Sequence, residues 1–131
     1  MTESAMSSQN VAASAGDEAR PEALDALLAA PDHHMLLFEN ANVRVLDTRI
    51  PPRGQTPVHT HRWPSVLYVL SSSSFVRRDT HGRILLDSRS APQLAAPATV
   101  VWSPPLAAHS LENVGAVDLR VISVELKQVA A

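Results

Sequence analysis

The chain has 131 residues, 45% of them hydrophobic, which suits one domain with a core of its own. A net charge of −2 offers no basic surface, so nucleic acid is not an expected partner. The absence of cysteine removes disulfides and thiolate metal sites, and the longest apolar runs are far too short to cross a bilayer, so no membrane partner is expected.

Residues 1–16 are small and polar, lack any apolar period, and read as a flexible N-terminal tail. They have no basic start followed by an apolar stretch, so they do not resemble a secretory leader; the expected location is cytoplasmic. Residues 17–34 hold a short helix and a linker. Pro21 suits the first helical turn, Leu24, Leu27 and Leu28 form an apolar stripe, and Pro31 ends it.

From 35 to 127 the pattern changes to short β-branched runs broken by Pro, Gly, Ser and Asn. Strands are predicted at 43–50, 58–61, 66–71, 75–78, 83–88, 99–102, 109–113 and 117–126. Asp79-Thr-His-Gly82 is a hairpin turn between the fourth and fifth, with His81 as a turn residue. Residues 93–97 read as an exposed loop, and 128–131 as a C-terminal tail. This order predicts an all-β antiparallel sandwich or barrel after one helix. The last strand carries Leu119 and Val121 on one face and Ile122, Val124 and Leu126 on the other. Both faces then need cover, and a homodimer is the expected source of the outer cover.

His59 and His61 are one residue apart, so on a strand they point to the same face. His109, brought in from another strand, would complete a three-nitrogen site. Neutral imidazole is a good ligand for Zn, Fe or Ni, and three protein ligands leave positions open for a small molecule.

The residues from 35 to 127 resemble the small single-domain cupins. That family carries a first motif of Gly, His-x-His, Glu and Gly, and a second of Gly, Pro-x-Gly, His and Asn. Here the first reads Gly54, His59-Thr-His61, Ser65 and Ser72; the second reads Ala98, Pro104-Pro-Leu106, His109 and Asn113. All three histidines, Gly54, Pro104 and Asn113 are kept. The glutamate is replaced by Ser65, and three glycines by Ser72, Ala98 and Leu106. The resemblance implies a double-stranded β-helix, or cupin jelly-roll barrel, of the RmlC-like kind. It also implies a divalent metal held in the barrel by His59, His61 and His109. With no carboxylate ligand the ion keeps both positive charges, which favours an anionic or chelating small-molecule ligand.

Other residues have two readings each. Ser65 is either a weak ligand or a hydrogen-bond partner of a metal-bound water. Tyr68 either reaches into the barrel or packs in the core. Trp63 either lines the site mouth or packs, and Trp102 serves either the pocket wall or the core. Arg53 either faces an anionic ligand or is solvated in its loop. Glu112 points away from His109 by strand alternation, and His33 and His34 are adjacent, point in opposite directions and read as surface loop. Three functions stay open: a metal-dependent oxygenase acting on a small chelating organic acid or diketone, a non-catalytic binding or sensing module, and a structural barrel with a decayed site.

Overall fold

Two antiparallel sheets supply the architecture of the computed structural model, which describes residues 21–90 and 99–127. The expected tails, the start of the linker and the loop at 93–97 lie outside the described residues. The strands are β1 (His34–Glu39), β2 (Val43–Ile50), β3 (His59–His61), β4 (Ser65–Ser71), β5 (Phe75–Arg78), β6 (Ile84–Asp87), β7 (Val100–Ser103), β8 (Leu106–Asn113) and β9 (Leu119–Leu126). One sheet runs β1-β2-β9-β4-β7 and the other β3-β8-β5-β6. Strands expected at 43–50 and 75–78 form with those bounds, and the other six form with shifted ends. Among the described residues no helix is long and apolar enough to cross a membrane.

Register decides which side chains face inward. Arg44 of β2 lies opposite Glu125 of β9, which lies opposite Ser65 of β4, which lies opposite Ser103 of β7. The next inward layer is Leu46, Ser123, Leu67 and Val101. Because strand side chains alternate, the same pairing sends Tyr68 outward, where it is 48% exposed. The interior therefore mixes polar and apolar groups, and Thr48, Ser65, Ser123 and Glu125 are all buried there.

Two expectations are corrected. The helix is not continuous: a 3-10 turn at Glu22–Leu24 and a single α turn, α1 (Ala26–Ala29), flank an extended Asp25. Asp25 caps α1 through Leu27 N–H at 3.1 Å, and its carboxylate takes a two-pronged contact from Arg44 at 2.8 and 3.0 Å. The buried residues of this segment are Asp25, Ala26 and Ala30, whereas Leu28 is 65% exposed. A buried ion pair, not a leucine stripe, docks the segment. The second correction is β1, absent from the expected strands. Its run Met35-Leu-Leu-Phe38 has no alternation to read, and all four side chains are about half exposed on the sheet edge.

Asn113 ends β8 at a knot of backbone. Its side-chain amide donates to the carbonyls of Ile50 and Val117, each at 2.8 Å, and its oxygen accepts from Ser73 Oγ and Gly115 N–H. Its own N–H and C=O bond Gly54 and Arg53, so it ties the segment before β3 to the end of β8. Fully buried, it leaves two carbonyls without donors if removed. Asn113→Ala is expected to lower stability by about 2–4 kcal/mol in chemical denaturation; a loss within error of zero would mean that other groups hold the knot.

Candidate metal centre

Four histidines converge where the inner faces of the two sheets meet. His59 of β3 is the cross-strand partner of His109 of β8, and their ring centres are 4.5 Å apart. His61, two residues on, turns to the same side, with ring centres 5.0 Å from His59 and 5.8 Å from His109. His34 enters from β1 of the other sheet, 4.8 Å from His59 and 5.4 Å from His61. The possible ligand atoms of His34, His59 and His61 all lie within 4.8 Å of one another, a tri-histidine cluster able to coordinate a metal ion.

Each ring is held by its Nδ1. His34 Nδ1 bonds the Ala30 carbonyl at 3.0 Å, His59 that of Pro57 at 2.9 Å, and His109 that of Ala107 at 2.7 Å. His61 Nδ1 lies 3.2 Å from the Glu125 carboxylate. A carbonyl oxygen can only accept, so the Nδ1 it bonds carries the proton, and an ionised carboxylate imposes the same. The Nε2 lone pairs are then free. This is the tethering that metal-ligating histidines need, because it fixes both ring orientation and tautomer.

Glu125 is itself fixed. Only 1% exposed, it takes the Arg44 Nε–H with one oxygen and faces His61 with the other. Burial works against the Arg44 charge, but the bonds to Asp25 and Glu125 outweigh it and raise its pKa above the usual arginine value. An ion network thus runs from the N-terminal segment through Asp25, Arg44 and Glu125 to the histidine cluster. Trp63 covers it from outside, with Arg44 5.0 Å from the ring centre.

A cavity of about 390 Å³ opens beside the histidines. Its floor carries Ser65, Ser103 and Ser123, and its walls include Leu67, Val69, Phe75 and Leu111. Of the expected site residues, His59, His61, His109 and Ser65 face this space. Trp102 borders it while remaining 56% exposed. Tyr68 turns outward, because it alternates with the inward Leu67 and Val69. Trp63 packs on cations instead of lining the mouth. Arg53 is an exposed loop residue beside Glu112 and Gly115, in a separate surface depression. Glu112 points away from His109, as alternation requires, and pairs with Arg78 at 2.8 Å. His34 is corrected outright. It is not a surface-loop residue; it is buried at the start of β1.

No family model matches the chain, and no curated protein matches it. Among solved structures it is similar to a cupin domain from Bordetella pertussis, at 18% identity and a TM-score of 0.54, over 72% of this chain and 91% of that one. It is also similar to an RmlC-like cupin family protein with a double-stranded β-helix fold from Methanocaldococcus jannaschii, at 12% identity and a TM-score of 0.49, over 71% and 79%. A protein with a double-stranded β-helix domain from Klebsiella pneumoniae matches at 16% and 0.49, over 76% of each chain. The first of these carries the conclusion that the fold is of the cupin type, mostly antiparallel with a short helical segment.

The cluster makes stability depend on pH. Burial first, and the neighbouring histidines second, lower His34 and His109 to about 3 and His59 to about 4, from 6.5. Between those values the unfolded chain binds more protons than the fold. Stability is therefore full above about pH 6.5 and falls as the pH drops toward 4 and then 3. Asp25 and Asp47 are held below their ordinary value of 3.8, so their loss comes later. The melting temperature of metal-free protein is expected to decline steadily from pH 7 to pH 4; a flat profile over that range would show the imidazoles to be solvated.

Proposed function

We propose that this chain binds one divalent transition metal, Zn, Fe or Ni, through His59, His61 and His109, with His34 as a fourth imidazole. The observation that supports this most is the set of Nδ1 tethers, which leaves the Nε2 of each ring unengaged, in a cluster where possible ligand atoms of His34, His59 and His61 lie within 4.8 Å of one another and the His109 ring centre is 4.5 Å from that of His59. The donor set suits a borderline metal and is all nitrogen. His34 supplies from β1 what the carboxylate missing at Ser65 does not. Glu125 stands one strand from Ser65, but behind His61, where it orients the ring.

When bound, the metal would act as a Lewis acid with positions open to a chelating ligand. Around it, this chain's residues do the rest. The apolar walls exclude water from a space that fits a small molecule. Ser65 and Ser103 offer hydroxyls at the floor. The reaction class this favours is oxygenation of a small chelating organic acid or diketone. A binding module without turnover would hold the same metal and ligand but consume no oxygen.

The metal reading is tested by elemental analysis and calorimetry. About one metal per chain is expected, with His61→Ala sharply reducing it. Glu125→Gln should weaken affinity by about 10–100-fold, measured at a temperature where the variant, destabilised by the loss of the ion pair with Arg44, is still folded. Absence of any transition-metal binding by wild-type protein would refute the site. Oxygen uptake by the iron-loaded protein with chelating acids and 1,3-diketones then separates the enzyme from the binding module.

We also propose a homodimer. Outward-facing Tyr68, Leu70, Val100 and Trp102 are each 47–62% exposed and sit together on β4 and β7, on a sheet whose edge strand β1 is also apolar. An isologous contact would cover the same patch on both copies. Light scattering should give twice the chain mass at micromolar concentration, and a monomer mass there would count against it.

A further inference from the structure

Arg77 has no use in the fold that its neighbours reveal. On β5 it lies opposite Leu111 of β8 and Leu86 of β6. All three line the same cavity as the histidines. Leu111 is two residues from His109 on one strand, so Arg77 is the diagonal neighbour of His109, a separation of about 7–8 Å between backbones. Its Nε is buried and has no hydrogen-bond partner. Among the described residues every other arginine that is not exposed is paired: Arg44 with Asp25 and Glu125, Arg78 with Glu112, and Arg120 with Asp47.

The cavity offers Arg77 no counter-charge. Its described lining contains no aspartate and no glutamate. Phe75, Leu86 and Leu111 line the same cavity as Arg77 and bring it apolar surface. Burial alone lowers its pKa below the ordinary arginine value, the mark of a cation without a partner. Arg77 is half-buried, and its buried Nε–H is a donor left without a partner, a feature that costs a fold stability. An acceptor entering the cavity would satisfy this donor, and an anionic one would also meet the guanidinium charge. Guanidinium matches a carboxylate with two parallel hydrogen bonds, and the mixed apolar and hydroxyl lining suits a small organic acid.

We propose that Arg77 is the anion anchor of this cavity and that its ligand is a small dicarboxylate-type acid, one carboxylate on Arg77 and the other acidic end toward the histidines. The second contact rests on the metal-centre reading; the contact with Arg77 does not. The ligand's middle would lie along Phe75 and Leu111, which favours a short apolar chain between the two ends.

The test is calorimetric titration of full-length protein, metal-free and zinc-loaded, with succinate and glutarate. Arg77→Met should weaken binding at least about 10-fold in both forms, as loss of a charge-assisted contact requires. Arg77→Lys, which keeps the charge but not the fork, should fall between. Zinc content of Arg77→Met should match wild type. Without ligand, Arg77→Met should melt about 4 °C or more above wild type, because a half-buried cation with an unpartnered Nε has been removed. Equal affinity of Arg77→Met and wild type would overturn the proposal, as would a lower ligand-free melting temperature, which would make the arginine structural. If wild type takes up zinc but binds neither acid, the anchor is wrong while the metal site stands. If no zinc binds yet succinate binding still depends on Arg77, the metal site is wrong while the anchor stands.

Discussion

An imidazole whose Nδ1–H is bonded to an oxygen that can only accept has one lone pair left, on Nε2, and one direction in which to offer it. His34, His59, His61 and His109 are all held in this way, three by main-chain carbonyls and one by Glu125. The carbonyls belong to residues only two or four positions earlier in the chain, so the tethers are local. They form as soon as the turn before β3, the start of β8 and the end of α1 take their shape. The long-range part falls to Glu125. It joins β9 to the site and, through Arg44 and Asp25, to the N-terminal segment. Breaking one member of so buried a set would strand the others, at a cost of about 3–5 kcal/mol.

The interior follows from the same constraint. Few large apolar side chains are fully buried, Leu46, Ile50 and Val76 among them, while serines, threonines and histidines occupy inward positions on both sheets. This is how a fold keeps a space open. The small hydroxyl residues at 65, 103 and 123 leave room at the floor, and larger aliphatic groups at 67, 69 and 111 shape the walls. The described lining of this space holds one arginine, Arg77, and no carboxylate.

Much of this was legible before folding was considered. The pair His59 and His61 has the two-residue spacing of one strand face, and the likeness of Pro104, His109 and Asn113 to the second cupin motif implies that His109 joins them. Strand positions were readable because β2, β4 and β9 are short β-branched runs between breaks. Other features were not. His34 sits at the start of a run without alternation, next to a second histidine, and only the bond from its ring to Ala30 and the pairing of β1 with β2 turn it inward. The sequence does not orient Tyr68, because its strand has apolar residues on both faces and alternation alone does not say which face is inner. Glu125, Arg44 and Asp25 are far apart in sequence and become one network only through sheet register. Arg77 and Arg78 are adjacent, and which one faces the cavity depends on the pairing of β5 with β8.

The measurement that bears most directly on the account is nitrogen NMR of the histidine side chains in metal-free protein at pH 8, where long-range couplings report which ring nitrogen carries the proton. The tethers require the Nδ1–H form at His34, His59, His61 and His109, with a bare Nε2 at each. Zinc should then perturb Nε2 at His59, His61 and His109, and at His34 as well. An Nε2–H tautomer at His59 or His109, or Nε2 signals that zinc leaves unmoved, would contradict the account.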